Sequence, residues 1–254
     1  MSAPVFVLDR ALLAEDRVVL DGAEGRHAAT VRRLTPGEHV VLTDGHGLRA
    51  DCRVVEAGPD RLELVVHART ETPEPAPRLV VVQALPKGDR GELAVATMTE
   101  VGVDVIVPWA AERCVTRWSG QRGDKALTKW RTTVREAAKQ SRRSRFPEVT
   151  DLASTEFVAA LLASAAMPVV LHEDAEAALS AADVPSDGDI VVVVGPEGGI
   201  SADELAALTT PTTTTTGAGA TAYRLGPTVL RTSTAGAAAA AVVLSRTARW
   251  ATGP

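Results

Sequence analysis

Val191-Val192-Val193-Val194-Gly195-Pro196-Glu197-Gly198-Gly199-Ile200-Ser201 joins an unbroken apolar run to a glycine-rich turn and then to a helix start. Four successive valines without polar alternation read as a strand covered on both faces, the kind that parallel sheets contain. Ser201 and Glu204 give the S-x-x-E pattern, in which each side chain satisfies a free amide of the first helical turn. Glycines at 195, 198 and 199 permit positive φ and let a ligand approach the backbone where a Cβ would collide. Ligands of open α/β sheets lie at such turns, outside the carboxyl ends of the strands. The spacing is neither G-x-G-x-x-G nor a Walker loop with its lysine, which disfavours a dinucleotide or a nucleoside triphosphate. Taken alone, the pattern also fits a plain tight turn.

Working outward, strands and helices alternate on both sides. Leu79–Leu85 reads as a buried strand, Asp89–Val101 as a helix closed by Gly102, and Val103–Trp109 as a second strand, the crossover that parallel pairing needs. Pro168–His172 and Asp189–Val194 continue the series, so residues 73–254 read as an α/β domain. Downstream, Thr212–Thr216 is low complexity and reads as a surface insertion, because β-branched threonines disfavour a helix and nothing apolar anchors them. A second loop follows, Tyr223-Arg224-Leu225-Gly226-Pro227-Thr228-Val229-Leu230-Arg231-Thr232-Ser233-Thr234-Ala235-Gly236, entering an alanine-rich helix. A Gly-Pro turn, an arginine and a run of hydroxyls at a helix mouth suit a ligand loop, or a helix capped by Thr232 or Ser233.

Residues 1–72 have a different rhythm. Pro4–Leu8, Arg17–Leu20, Glu38–Thr43, Leu48–Val55 and Arg61–Val66 read as short strands, with one helical stretch at Gly25–Leu34 and turn signals at Asp44-Gly45 and Gly58-Pro59-Asp60. A small β-barrel would remove their edges. The alternating prolines of Thr70–Pro77 cannot join a sheet ladder and mark the domain boundary.

Charged residues in the first twenty positions exclude a secretory signal there, and the apolar run Ala235–Leu244 is about half of the roughly 20 residues a membrane span needs. Cytoplasmic location and no membrane contact are the expectation. Cys52 and Cys114 form no C-x-x-C pair, and the five histidines show no ligand spacing, so no metal is expected. The net charge of -5 hides a segregation: Arg113–Arg145 carries eleven Lys or Arg against two acids, +9, which leaves -14 in the rest. A local field of that kind points to a polyanion partner. On Asp124–Arg143, Leu127, Trp130, Val134, Ala137 and Ala138 share one face, which puts most of the cations outside a docked helix.

The two loops, in this order, resemble the ribosomal small subunit methyltransferase E family of the SPOUT superfamily. The resemblance also takes in Gln83-Ala84-Leu85-Pro86-Lys87, Thr99-Glu100-Val101-Gly102, Glu112-Arg113-Cys114, Lys129-Trp130, Ala137-Ala138-Lys139-Gln140-Ser141-Arg142-Arg143 and Leu171-His172-Glu173. At the amino end His27, Val31-Arg32-Arg33-Leu34 and Pro36-Gly37 look like the family's PUA-like barrel, so nearly the whole chain is covered. The pair V-G-P-E-G-G and L-G-P-x-x-L-R-T is far more specific than either motif alone. The threonine insertion departs from the family's shorter loop.

The resemblance implies a PUA-like β-barrel domain at 1–72 and a knotted, trefoil α/β methyltransferase domain at 73–254. It implies a homodimer, bent S-adenosylmethionine as cofactor, and methylation at N3 of one uridine in 16S ribosomal RNA of the small ribosomal subunit. Carried over, the cofactor residues are Leu171, His172, Gly195, Glu197, Gly198, Leu225, Gly226 and Leu230. Candidate RNA contacts are Arg32, Arg33, Lys87, Arg142 and Arg143. Transfer to N3 requires loss of its proton, and Arg231, always charged and forked, suits the developing charge on the ring, which leaves Glu197 to accept the proton. A related knotted enzyme acting on transfer RNA or 23S RNA is one alternative, and a non-catalytic ribosome-assembly factor is another; the latter would not need the glycine loops.

Overall fold

The computed structural model describes residues 3–210 and 219–251. The Thr212–Thr216 insertion lies outside the described residues. The chain divides into two units, one comprising Met1–Glu74 and Ala138–Phe146, the other Pro75–Ala137 and Pro147–Pro254.

The first unit contains β1 (Val5–Val7), α1 (Arg10–Leu13), β2 (Arg17–Leu20), α2 (Gly22–Arg26), a π-helix (His27–Val31), β3 (His39–Thr43), β4 (Leu48–Ala57) and β5 (Leu62–Glu71). They make one sheet in the order β1-β3-β4-β5-β2. β1 pairs parallel with β3 and the other ladders are antiparallel. Among the described residues β1 and β2 share no ladder, so the expected barrel is a sheet with two edges. Phe6, Leu13, Leu20, Leu42, Leu62 and Leu64 fill its core. The helix expected at Gly25–Leu34 starts earlier, at Gly22, and widens into the π-helix from His27. Gly25 explains the close seat of α2: a Cβ there would lie 2.5 Å from the Leu20 carbonyl oxygen and 2.6 Å from that of Asp60.

Ala138–Phe146 completes this unit. The Gly47 amide donates to Ser144 O (2.9 Å) and the Phe146 amide to Gly45 O (2.8 Å). Lys139, one of the eleven cations counted in the basic segment, is only 8% exposed, with Nζ 3.1 Å from both carboxylate oxygens of Glu24 and 5.9 Å from the Phe6 ring centre. The Phe6 ring in turn meets His27 edge-on at 5.7 Å. Cys52 is buried, and that burial pushes its thiol up to about 11.

The second unit begins with β6 (Arg78–Ala84), α3 (Arg90–Val101), β7 (Val105–Trp109) and α4 (Gly120–Gln140), whose residues to Ala137 belong here. It continues with β8 (Glu148–Val149), α5 (Thr155–Ala163), β9 (Met167–Leu171), β10 (Asp189–Val194), α6 (Ala202–Thr209), β11 (Thr221–Tyr223), α7 (Thr232–Leu244) and α8 (Ala248–Ala251). Six strands form a sheet in the order β11-β9-β10-β6-β7-β8, and every pairing in it is parallel. Ile190 to Val194 are at most 2% exposed, as the apolar run demands, and each such side chain stabilises the fold by about 1.5–3 kcal/mol. α3 ends at Gly102 with φ 115°, the left-handed cap that only glycine adopts at little cost.

The alanine helix α7 packs inside its own unit, against α3, β6 and β10. Ala235, Gly236, Ala239, Ala240, Val243 and Leu244 are buried there.

Candidate cofactor pocket

The sheet brings three loops together. β11, β9 and β10 are adjacent and parallel, so the segments after Tyr223, Leu171 and Val194 leave from the same edge, on neighbouring strands about 4.8 Å apart. Tyr223 is in register with Leu171 and Val193 with Val170, which places Arg224, His172 and Gly195 side by side, just past the last paired rungs. The loop after β9 is laced to the one after β11: the His172 amide donates to Tyr223 O (3.0 Å), Arg224 to Ala177 O (2.9 Å) and Leu179 to Arg224 O (2.9 Å). His172 Nδ1 accepts from the Asp174 amide at 3.3 Å, so its ring caps a turn.

The glycine turn is built differently from the expectation. Only Gly199 has positive φ, at 75°. A Cβ on Gly195 would lie 2.8 Å from Ile200 Cγ1, and one on Gly198 would lie 3.1 Å from Arg113 Cβ. A side chain at either position would therefore crowd the turn's own packing, more severely at Gly195 than at Gly198. A Cβ on Gly226, in contrast, would meet nothing within 4 Å. The next residues leave apolar surface in solvent, Val229 at 76% and Leu230 at 40% exposure. Leu171 and Leu225 are partly buried against the core beneath.

Glu197 is exposed; its Oε1 accepts from the Lys87 amide at 3.1 Å, which ties the turn after β10 to the end of β6. The α6 capping box is complete, since the Glu204 amide donates to Ser201 Oγ and the Ser201 amide to Glu204 Oε2. Glu204 also accepts from the Glu112 amide (2.9 Å) and from Thr155 Oγ1 (3.0 Å), and Arg113 Nη1 donates to Gly198 O (3.3 Å). Arg113, counted in the sequence as one cation of the basic segment, supports the glycine turn. The E-R-C motif was the only sign of that role, because the partner lies on a distant element.

Arg231 is the N-cap residue of α7 and is exposed. Its carbonyl accepts from the Thr234 and Ala235 amides, and no side chain caps the helix, so the capping role open to Thr232 or Ser233 is not taken. Among the described residues neither Arg231 nor Glu197 has an ion-pair partner. Lys87 is exposed at the rim. Arg32, Arg33, Arg142 and Arg143 belong to the first unit, where Arg33 and Arg142 adopt positive φ, 54° and 59°. Among the described residues no group of three or more His, Cys, Asp or Glu is arranged to hold a metal ion, and no helix is long and apolar enough to cross a membrane.

An all-parallel sheet with three loops gathered at the carboxyl ends of neighbouring strands, in a chain that also holds a separate small β unit, is the arrangement of an α/β methyltransferase with a PUA-like domain. Family models agree: residues 72–244 match an RNA methyltransferase domain and residues 20–66 an RNA methyltransferase PUA domain. Over 254 aligned positions the chain is 48% identical to the ribosomal RNA small subunit methyltransferase E of Mycobacterium bovis, covering 98% of this chain and 94% of that one. The Bacillus subtilis protein of the same name is 29% identical, with 85% of each chain covered. A ribosomal RNA small subunit methyltransferase E from Neisseria gonorrhoeae, solved bound to S-adenosyl methionine, superposes with a TM-score of 0.81 at 28% identity, over 96% of this chain and 98% of that one. The chain belongs to the ribosomal RNA small subunit methyltransferase E family.

Proposed function

We propose that this chain methylates N3 of a specific uridine in 16S ribosomal RNA of the small subunit, using S-adenosylmethionine. The observation that carries the reading is the convergence of the loops after β9, β10 and β11, with an open glycine, an apolar rim and an unpaired arginine, in a chain of this family. The residues fit the cofactor: Leu171, Leu225 and Leu230 give apolar walls for an adenine, Gly226 leaves open space, and the backbone around His172, Gly195, Glu197 and Gly198 offers polar groups at the edge. S-adenosylmethionine, when bound, supplies a methyl group on an electrophilic sulfonium. Arg231 holds the O2 or O4 edge of the base as charge develops with loss of the N3 proton. Glu197 keeps Oε1 on the Lys87 amide and takes that proton at Oε2. Placement in line supplies the rest, without a Lewis acid.

Arg32, Arg33, Arg142 and Arg143 of the first unit and Lys87 of the second are the proposed RNA contacts, on a target base presented out of its stack. The domain division at 72/73, a trefoil knot in the last third, a homodimer and a cytoplasmic location complete the proposal; they rest on the family resemblance. The test is to incubate small subunits from a strain lacking the gene with protein and S-adenosylmethionine, then map methylated uridines by nuclease digestion and mass spectrometry. One N3-methyluridine in 16S RNA is expected. No heat of cofactor binding in calorimetry would remove the enzyme reading, and methyl groups on transfer RNA or 23S RNA would move the target.

A further inference from the structure

Gln83 is out of place in its strand. Leu79, Val80, Val81, Val82 and Ala84 around it are apolar and at most 2% exposed, and Gln83 itself is 0% exposed, in register with Val194 on one side and Pro108 on the other. Its Nε2 donates to Ala84 O (3.0 Å) and to Thr232 O (3.3 Å). Its Oε1 has no partner, the sole such buried side-chain atom among the described residues. Facing two carbonyls, the amide must put its nitrogen there, so the orphaned oxygen is a consequence of the arrangement. Such an atom carries the desolvation penalty of a buried polar group with no bond in return, which an apolar residue of the same size would not incur.

Thr232 is the first residue of α7 and follows Arg231 directly. Its carbonyl is one the helix already uses for the amide four residues on, so the bond from Gln83 is not needed to form the helix. What it adds is position. α7 lies so close over the carboxamide that a Cβ on Gly236 would sit 2.7 Å from Met98 Sδ and 3.4 Å from Gln83 Oε1. From the same end of β6 the chain runs on to Lys87, whose amide holds Glu197. One buried carboxamide therefore stands between the two loops of the pocket.

We infer that Gln83 is a positioning residue that fixes the first turn of α7, and with it Arg231 and the Gly226–Leu230 loop, on the end of β6. This rests on the methyltransferase reading of the pocket. Gln83→Met keeps the volume and removes both the tie and the orphaned oxygen. Its thermal midpoint should equal or exceed that of wild type, amide exchange in residues 225–236 of the cofactor-free protein should quicken at least about fivefold, and single-turnover methylation should fall at least about tenfold. A lowered midpoint with unchanged exchange, or a normal rate per folded molecule, overturns the assignment.

Should Gln83→Met not fold, Gln83→Glu decides. Protonated, it regains one O–H donor for the carbonyls; ionised, it faces them with none. Its activity relative to wild type should therefore be higher at pH 6 than at pH 8, and a ratio that does not change with pH overturns the inference. Wild-type protein that neither binds S-adenosylmethionine nor methylates would overturn the reading of the pocket itself, whereas active wild type with an indifferent Gln83→Met sinks Gln83 alone.

Discussion

At the scale of single residues, Arg231 and the glycines make separable demands. If Arg231 contacts the reacting base, Arg231→Lys keeps the charge, loses the fork, and should bind cofactor and RNA nearly normally while single-turnover methylation falls at least about tenfold, or about 1.4 kcal/mol. A normal rate, or a loss traced to unfolding, removes the catalytic role. Gly226 and Gly195 give an internal control for the pocket. Gly226→Ala puts a methyl group into open space, so its thermal midpoint should hold or rise slightly while cofactor affinity drops. Gly195→Ala meets Ile200 and should melt earlier, with or without ligand. Equal affinity of Gly226→Ala and wild type in calorimetry would show that no ligand passes that loop.

At the scale of elements, α4 and the loop before it show how far a charge count can be trusted. Arg131 donates to Asp151 and to Val149 O, Lys129 pairs with Glu92, Arg117 donates to the carbonyls of Ala111 and Glu112, and Lys139 is buried on Glu24. Much of the +9 segment is thus spent on folding. Lys139→Met, which removes a buried ammonium lying 3.1 Å from both Glu24 carboxylate oxygens, should cost about 1.5–3 kcal/mol in a denaturant titration. Arg122→Ala with Lys125→Ala should leave stability within about 0.5 kcal/mol. A Lys139→Met protein as stable as wild type would show that its ion pair holds nothing.

The sequence made the parallel strands legible because a strand covered on both faces is a plain apolar run, and made the α6 start legible because a capping box is local. It hid Lys139, whose partner is 115 residues upstream, and Gln83, whose partner Thr232 is 149 residues downstream. The turn from α2 into the π-helix leaves no mark in composition, and β5 runs to Glu71 because exposed charged residues can lengthen a strand without apolar alternation.

At the scale of the molecule, the first unit is discontinuous in sequence. A fragment of residues 1–72 contains all five strands of its sheet but lacks Lys139, Ser144 and Phe146, and with them the ion pair to Glu24 and the bonds to Gly45 and Gly47. It should show no cooperative thermal transition by circular dichroism, while the full chain does; a sharp melt of the fragment would show that the returning segment is dispensable. The same discontinuity sets a schedule during synthesis. Phe146 leaves the ribosome about 70 residues after Glu74, roughly 4–14 s later at the usual pace of elongation. For that interval the nascent sheet lacks the backbone bonds to Gly45 and Gly47 and the ammonium that sits on Glu24. The moment of greatest exposure to aggregation, and of greatest use for a chaperone, is therefore fixed by where the chain returns, and a synonymous codon change between Pro75 and Phe146 can lengthen it without altering one atom of the finished protein.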